Sequence, residues 1–169
     1  MRLTWLALAL TALALAGNSV RAADAPLTQV RFQLRSECTC ASCGFAMDDQ
    51  LHKQPGVAKV SLSARERTVT VAFDEQRVPL SRIATLLAGC EIGKRSALIG
   101  ELADAKPAPD TASRARVTGV RAAELDAKKH RLLVELTGDP PLTTAELTTA
   151  LAKAGVEVRI EGGTKNGRS

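Results

Sequence analysis

Between residues 28 and 98 the apolar period of this chain changes from two-fold to helical and back, twice. No other feature constrains the fold as much. Thr28–Leu34 alternates, with Val30, Phe32 and Leu34 on one side and Gln29, Arg31 and Gln33 on the other, which predicts a half-buried strand. From Ser42 the pattern is helical, with Met47 and Leu51 at i and i+4, until Pro55-Gly56 stops it. Val60 and Leu62 mark a second strand. Arg65-Glu66-Arg67 turns the chain, and Val69, Val71 and Phe73 alternate as a third. Pro79 opens a second helix carrying Ile83, Leu86 and Leu87. Gly89-Cys90 ends it, and a last strand is expected near Glu91–Leu98. The order βαββαβ predicts an α+β, ferredoxin-like sandwich over residues 28–98.

The flanks read differently. Met1-Arg2 is a short positive start, Trp5 to Ala16 is almost all Leu and Ala, and Val20-Arg21-Ala22 suits a cleavage site. Residues 1–22 are therefore expected to be a secretory signal peptide, its apolar run too short to span a bilayer easily. The short, Ala-rich leader suits a bacterium and a periplasmic destination, with no membrane insertion after cleavage. Residues 103–113, rich in Ala, Pro and polar side chains, read as a linker. Beyond it the first pattern partly recurs. Gly56-Val57, Leu62, Ala64 and Val71 are matched 63 positions on by Gly119-Val120, Leu125, Ala127 and Val134. Leu142–Ala154 is amphipathic through Leu147 and Leu151, and Gly155-Val156-Glu157-Val158 echoes Gly89-Cys90-Glu91-Ile92. Residues 114–162 are thus expected to form a second, smaller, degenerate ββαβ unit. Its first strand and helix would fall in 91–118, and residues 163–169 would be a disordered tail.

Composition closes off several functions. The chain has three Phe, one Trp and no Tyr, and Trp5 lies in the leader, so a surface that stacks bases on aromatic rings is not expected. The formal charge is +5, and loss of Arg2 and Arg21 with the leader lowers it to +3. That is too mild to argue for nucleic acid, although it could steer an acidic partner at low salt. No catalytic His, Ser or acid constellation is present, so the chain does not read as an enzyme.

The four cysteines are not spread as a disulfide framework would be. Cys38, Cys40 and Cys43 lie within six residues at a strand-to-helix junction, and Cys90 follows the second helix. Where a loop enters a helix, unpartnered N–H groups and the positive helix end favour thiolate, the form that binds metal. Two thiolates at the spacing of Cys40 and Cys43 converge on one ion, and sulfur ligands select soft or borderline metals such as Cu(I) and Zn(II).

Thr39-Cys40-Ala41-Ser42-Cys43, the helix that follows, Pro55-Gly56-Val57 and the two strands to Asp74 together resemble the heavy-metal-associated domain of copper chaperones, metal-transporting ATPase tails and the periplasmic mercury-binding protein. The resemblance covers residues 28–97 and implies a ferredoxin-like fold with a metal site on the loop after the first strand. It implies Cys40 and Cys43 as ligands. Cys38 stands where the family usually has a Met that points into the core, so it either packs beneath the loop or turns outward to bind. Cys90 stands where many relatives have Tyr or Lys, on a loop beside the metal loop, and is expected to supply a third sulfur. Zinc and cadmium relatives tend to carry Asp just before the first metal Cys. Thr39 holds that place here, which favours Cu(I), then Hg(II), with Zn(II) fitting if all four sulfurs converge. His52 reads as solvated, and His130 sits in a basic turn without a ligand partner.

These residues leave three functions open. The first is a periplasmic metal-binding or transfer protein whose partner is a metal-transporting membrane protein or another metal-binding protein. The second is a thiol–disulfide oxidoreductase, since Cys-X-X-Cys at a helix start also serves redox chemistry. The third is an interaction module held by disulfides. The second unit, lacking Cys, is expected to serve docking, partner recognition or a homodimer contact.

Overall fold

The computed structural model describes residues 26–35, 41–102 and 117–160. The expected leader, Cys38 and Cys40, the linker and the tail lie outside the described residues. Strand β1 is Thr28–Gln33, helix α1 Ala41–His52, β2 Val57–Ser63, β3 Thr68–Phe73, α2 Leu80–Ala88 and β4 Ala97–Leu102. These six elements give the expected βαββαβ order. β5 is Val120–Asp126, β6 Arg131–Leu136, α3 Thr144–Lys153 and β7 Val158–Ile160. The strands form one seven-stranded sheet in the order β2-β3-β1-β4-β6-β5, with β7 paired to β4 off that path. β1 pairs antiparallel with β3 along all six residues but with β4 only at Phe32–Leu98 and Gln33–Ala97.

Alternation decides which face of the sheet is covered. Val30, Phe32, Val69, Val71, Leu98, Leu132 and Val134 share one core with Met47 and Leu51 of α1, Ile83 and Leu87 of α2, and Leu147 and Leu151 of α3. The core therefore runs under both halves of the sheet. Among the described residues no helix is long and apolar enough to cross a membrane.

The strand expected near Glu91–Leu98 forms later, at Ala97–Leu102. Glu91–Gly93 is instead a 3-10 turn closed by Gly93 N–H donating to the Cys90 carbonyl at 3.0 Å. A Cβ on Gly93 would stand 2.1 Å from the Leu87 carbonyl oxygen. The chain after Cys90 is pressed against the last turn of α2, and only glycine fits there. Pro79 is the residue before α2, extended at ψ 152°, rather than its first turn.

The 63-residue offset recurs in the backbone. Gly56 and Gly119 have φ of +104° and +84°, and Arg67 and His130 have φ of +54° and +52°. The register slips between Val57 and Lys59 in β2 and between Val120 and Ala122 in β5. Asp74 N–H bonds to the Gly56 carbonyl at 2.8 Å, and Thr137 N–H to that of Gly119 at 3.0 Å. β4 lies beside β6 as β1 lies beside β3: Leu34 N–H reaches Arg67 O at 2.7 Å and Leu102 N–H reaches His130 O at 3.1 Å. β4 thus closes the first βαββαβ set and occupies the first-strand place of the second.

Candidate metal centre

α1 begins at Ala41, so Cys43 stands in its first turn and Cys40 immediately precedes it in the chain. Backbone N–H groups of a first helical turn have no acceptor within the helix, and with the helix dipole they favour a thiolate there. Cys43 is half-buried and packs against the core, above Met47 and Leu51, which are fully buried. Gly44 lets the helix press on β2, since a Cβ there would stand 2.8 Å from Leu62 Cδ2. The next residue, Phe45, is 75% exposed.

Cys90 lies where α2 hands over to the 3-10 turn. It is buried, a free thiol, and its Sγ donates to Gln50 Oε1 at 2.9 Å and to the Leu86 carbonyl at 3.4 Å. Burial pushes the thiol above its ordinary value, because desolvation disfavours the thiolate. Gln50 follows Cys43 by seven residues, about 10 Å along the helix axis at the α-helical rise. The Cys90 thiol is thus fastened to a side chain from the far half of α1, not from the turn that carries Cys43. Periodicity does not single out Gln50, because its role depends on a partner forty residues away. Its signal in the sequence is the seven-residue spacing from Cys43, two turns on one helix side.

Among the described residues no three His, Cys, Asp or Glu side chains gather closely enough to hold a metal ion. His52 Nδ1 sits 3.0 Å from the Asp48 carbonyl and 3.4 Å from Asp48 Oδ1, 45% exposed, which is the expected solvated position. His130 turns the β5–β6 hairpin at positive φ and is exposed. Arg35, at the end of β1 and three residues before Cys38, reaches Glu124 Oε2 at 2.6 Å and Glu135 Oε1 at 3.4 Å. The strand leading toward the clustered cysteines is thereby tied to β5 and β6.

No protein-family model and no curated protein matches the chain. Among solved structures it is similar to the water-soluble region of the P-type ATPase CopA from Bacillus subtilis, with 21% identity and a TM-score of 0.39 over 86% of this chain and 99% of that one. The N-terminal soluble domains of Bacillus subtilis CopA give 17% identity and 0.39 over 85% and 99%. Oxidized MerP from Ralstonia metallidurans CH34 gives 22% identity and 0.37 over 43% and 96%. All three TM-scores lie below 0.5.

Proposed function

We propose that this chain is an exported soft-metal-binding protein that holds Cu(I) between the thiolates of Cys40 and Cys43 and passes it on by thiolate exchange. The observation that supports this reading most directly is the start of α1 at Ala41, with Cys43 in the first turn and Cys40 directly ahead. A thiolate in a first helical turn meets the positive end of the helix, and two cysteines at Cys-X-X-Cys spacing suit a soft, low-coordinate ion. An incoming thiolate can add to such an ion before either resident sulfur leaves, so transfer needs no free ion. The recipient or donor on this reading is a metal-transporting membrane protein or another metal-binding protein, and the leader-like residues 1–22 support a periplasmic setting. Cys90 is the proposed third ligand. To serve, its thiol must leave Gln50 and Leu86 and lose its proton. Hg(II) is the alternative cargo, because the same thiolates suit it.

The experiment is an anaerobic Cu(I) titration of the reduced chain beside Cys40→Ser/Cys43→Ser, with Hg(II) and Zn(II) as competing ions. Saturable one-to-one Cu(I) binding that the double variant loses is expected. Unchanged binding by the double variant, or turnover of a disulfide substrate such as insulin without metal uptake, would overturn the reading. Cys90→Ser should still bind Cu(I), more weakly, with sulfur coordination by X-ray absorption falling from three to two. An unchanged coordination number and affinity would make Cys90 a packing residue.

A further inference from the structure

One edge of β4 has two strands in register for it. Its even-numbered peptide groups face β6, as the bond from Leu102 N–H to His130 O shows, so its odd-numbered groups face the other side. On that side β1 is laddered to β4 only at Phe32–Leu98 and Gln33–Ala97. β7 takes the rest, with Ile160, Arg159 and Val158 opposite Gly100, Glu101 and Leu102. Continuing the β1 register along β4 would set Val30 opposite Gly100, Gln29 opposite Glu101 and Thr28 opposite Leu102. Those are the three residues that β7 holds.

The match extends to atoms. Leu34 donates its N–H to Arg67 on the β3 side, so the even-numbered residues of β1 turn their peptide groups to β3 and Gln29 turns its own toward β4. Gln29 and Arg159 are therefore in register for the same N–H and C=O, those of Glu101. Their flanking residues share a pattern as well: Val158 and Ile160 are buried like Thr28 and Val30, while Arg159 is exposed like Gln29. A cavity of roughly 680 Å³, lined by Thr28, Gln29, Thr148, Ala152, Val158 and Ile160, separates the start of β1 from β7 and α3. Among the described residues, Thr28, Gln29 and Val30 have no ladder partner on their β4 side.

We propose that β1 and β7 are alternative partners of Gly100–Leu102, so that the fold contains a strand exchange in which Gln29 replaces Arg159 on the Glu101 peptide. In the state described here β7 is on. When β7 leaves, β1 zips along β4 and takes up the edge that β7 gave up. A partner that takes up β7 shifts the population toward the zipped state by its differential affinity. The exchange goes beyond the metal reading and does not rest on it.

Hydrogen exchange by NMR on the reduced, metal-free full chain tests it. Arg159→Pro removes the N–H through which β7 pairs with Glu101. Val158→Ala/Ile160→Ala weakens β7 more gently. The Gln29 amide should exchange about tenfold or more slowly in Arg159→Pro than in the wild-type chain, and less markedly so in the Ala pair. Val71, within the β1–β3 ladder, reports whether the fold is intact and should stay protected. Gln29 exchanging at the wild-type rate while Val71 stays protected would overturn the proposal. If Arg159→Pro loses Val71 protection, the Ala pair decides by the same criterion.

Discussion

Cys90 and Cys43 are the same residue type in opposite settings. Cys43 stands in a first helical turn, whereas Cys90 is buried with its S–H directed at Gln50 Oε1 and the Leu86 carbonyl 3.4 Å away. On the proposed reading, Cys40→Ser and Cys43→Ser should each lower Cu(I) affinity by orders of magnitude, since a hydroxyl is a poor ligand for a soft ion. Their far-UV circular dichroism should stay native. Cys90 makes a prediction that needs no metal. Its folded pKa is raised, so above the unfolded value, about 8.5, the unfolded chain sheds a proton that the folded chain keeps. Its contribution is therefore fully present below that pH and is lost as pH rises toward the folded value. Urea unfolding between about pH 7 and pH 10 should show this loss in the wild-type chain and a shallower slope in Cys90→Ala, where that titration is gone. Equal slopes would mean that the thiol is no harder to ionise folded than unfolded. The cysteine spacing was legible because it is local. The Cys90–Gln50 bond was not, because it depends on how α2 closes over α1.

Elements whose signals were periodic emerged where the sequence placed them: β1 from Val30, Phe32 and Leu34, β3 from Val69, Val71 and Phe73, and α1 from Met47 and Leu51. β4 was displaced because the feature that delays it is steric. Gly93 lies against the Leu87 carbonyl, and no pattern of apolar residues reports such a contact. Gly93→Ala must move backbone rather than a flexible side chain, and it should cost about 1–3 kcal/mol, the range of overpacking substitutions. Chemical denaturation checks the cost, and a wild-type midpoint would show that the turn can relax. α3 begins one residue inside its box. Thr143 Oγ accepts from Glu146 N–H at 3.2 Å, while Glu146 Oε2 accepts from Thr143 N–H at 2.8 Å. Thr143→Ala should cost about 1 kcal/mol, as loss of an N-cap does. The bonds from Thr143 hold the Glu146 carboxyl below its ordinary value. Its contribution is therefore present above the unfolded carboxylate pKa and is lost as pH falls through the lower folded one. The acid limb of a stability–pH curve should flatten in Glu146→Gln.

The two halves share more than a chain. β4 pairs with β1 at one end, with β7 at the other and with β6 along its second edge. Arg35 of the first half is clamped by Glu124 and Glu135 of the second, and Glu75 accepts bonds from Thr144 and Thr28. The exposed Arg35–Glu124 pair is worth little alone, roughly 1 kcal/mol or less. The common core is the larger tie. Leu132 of β6 is fully buried in the same cluster as Val30, Val71 and Met47. A separate second domain would confine damage at Leu132 to β5, β6 and α3. A shared core transmits it. Leu132→Ala should cost about 2–5 kcal/mol, the span for truncating a buried leucine. Hydrogen exchange should show that cost as reduced protection at Val71 in β3 as well as at Val134 in β6. Loss at Val134 with Val71 unchanged would mean that the halves open independently, with β4 behaving as a hinge between two folding units. Equal loss at both would mean that one cooperative unit holds the strand leading to the cysteines and the strands of the repeat. On the proposed metal reading, a partner bound to the C-terminal half would then act through packing on β1, the strand that precedes the cysteines in the chain.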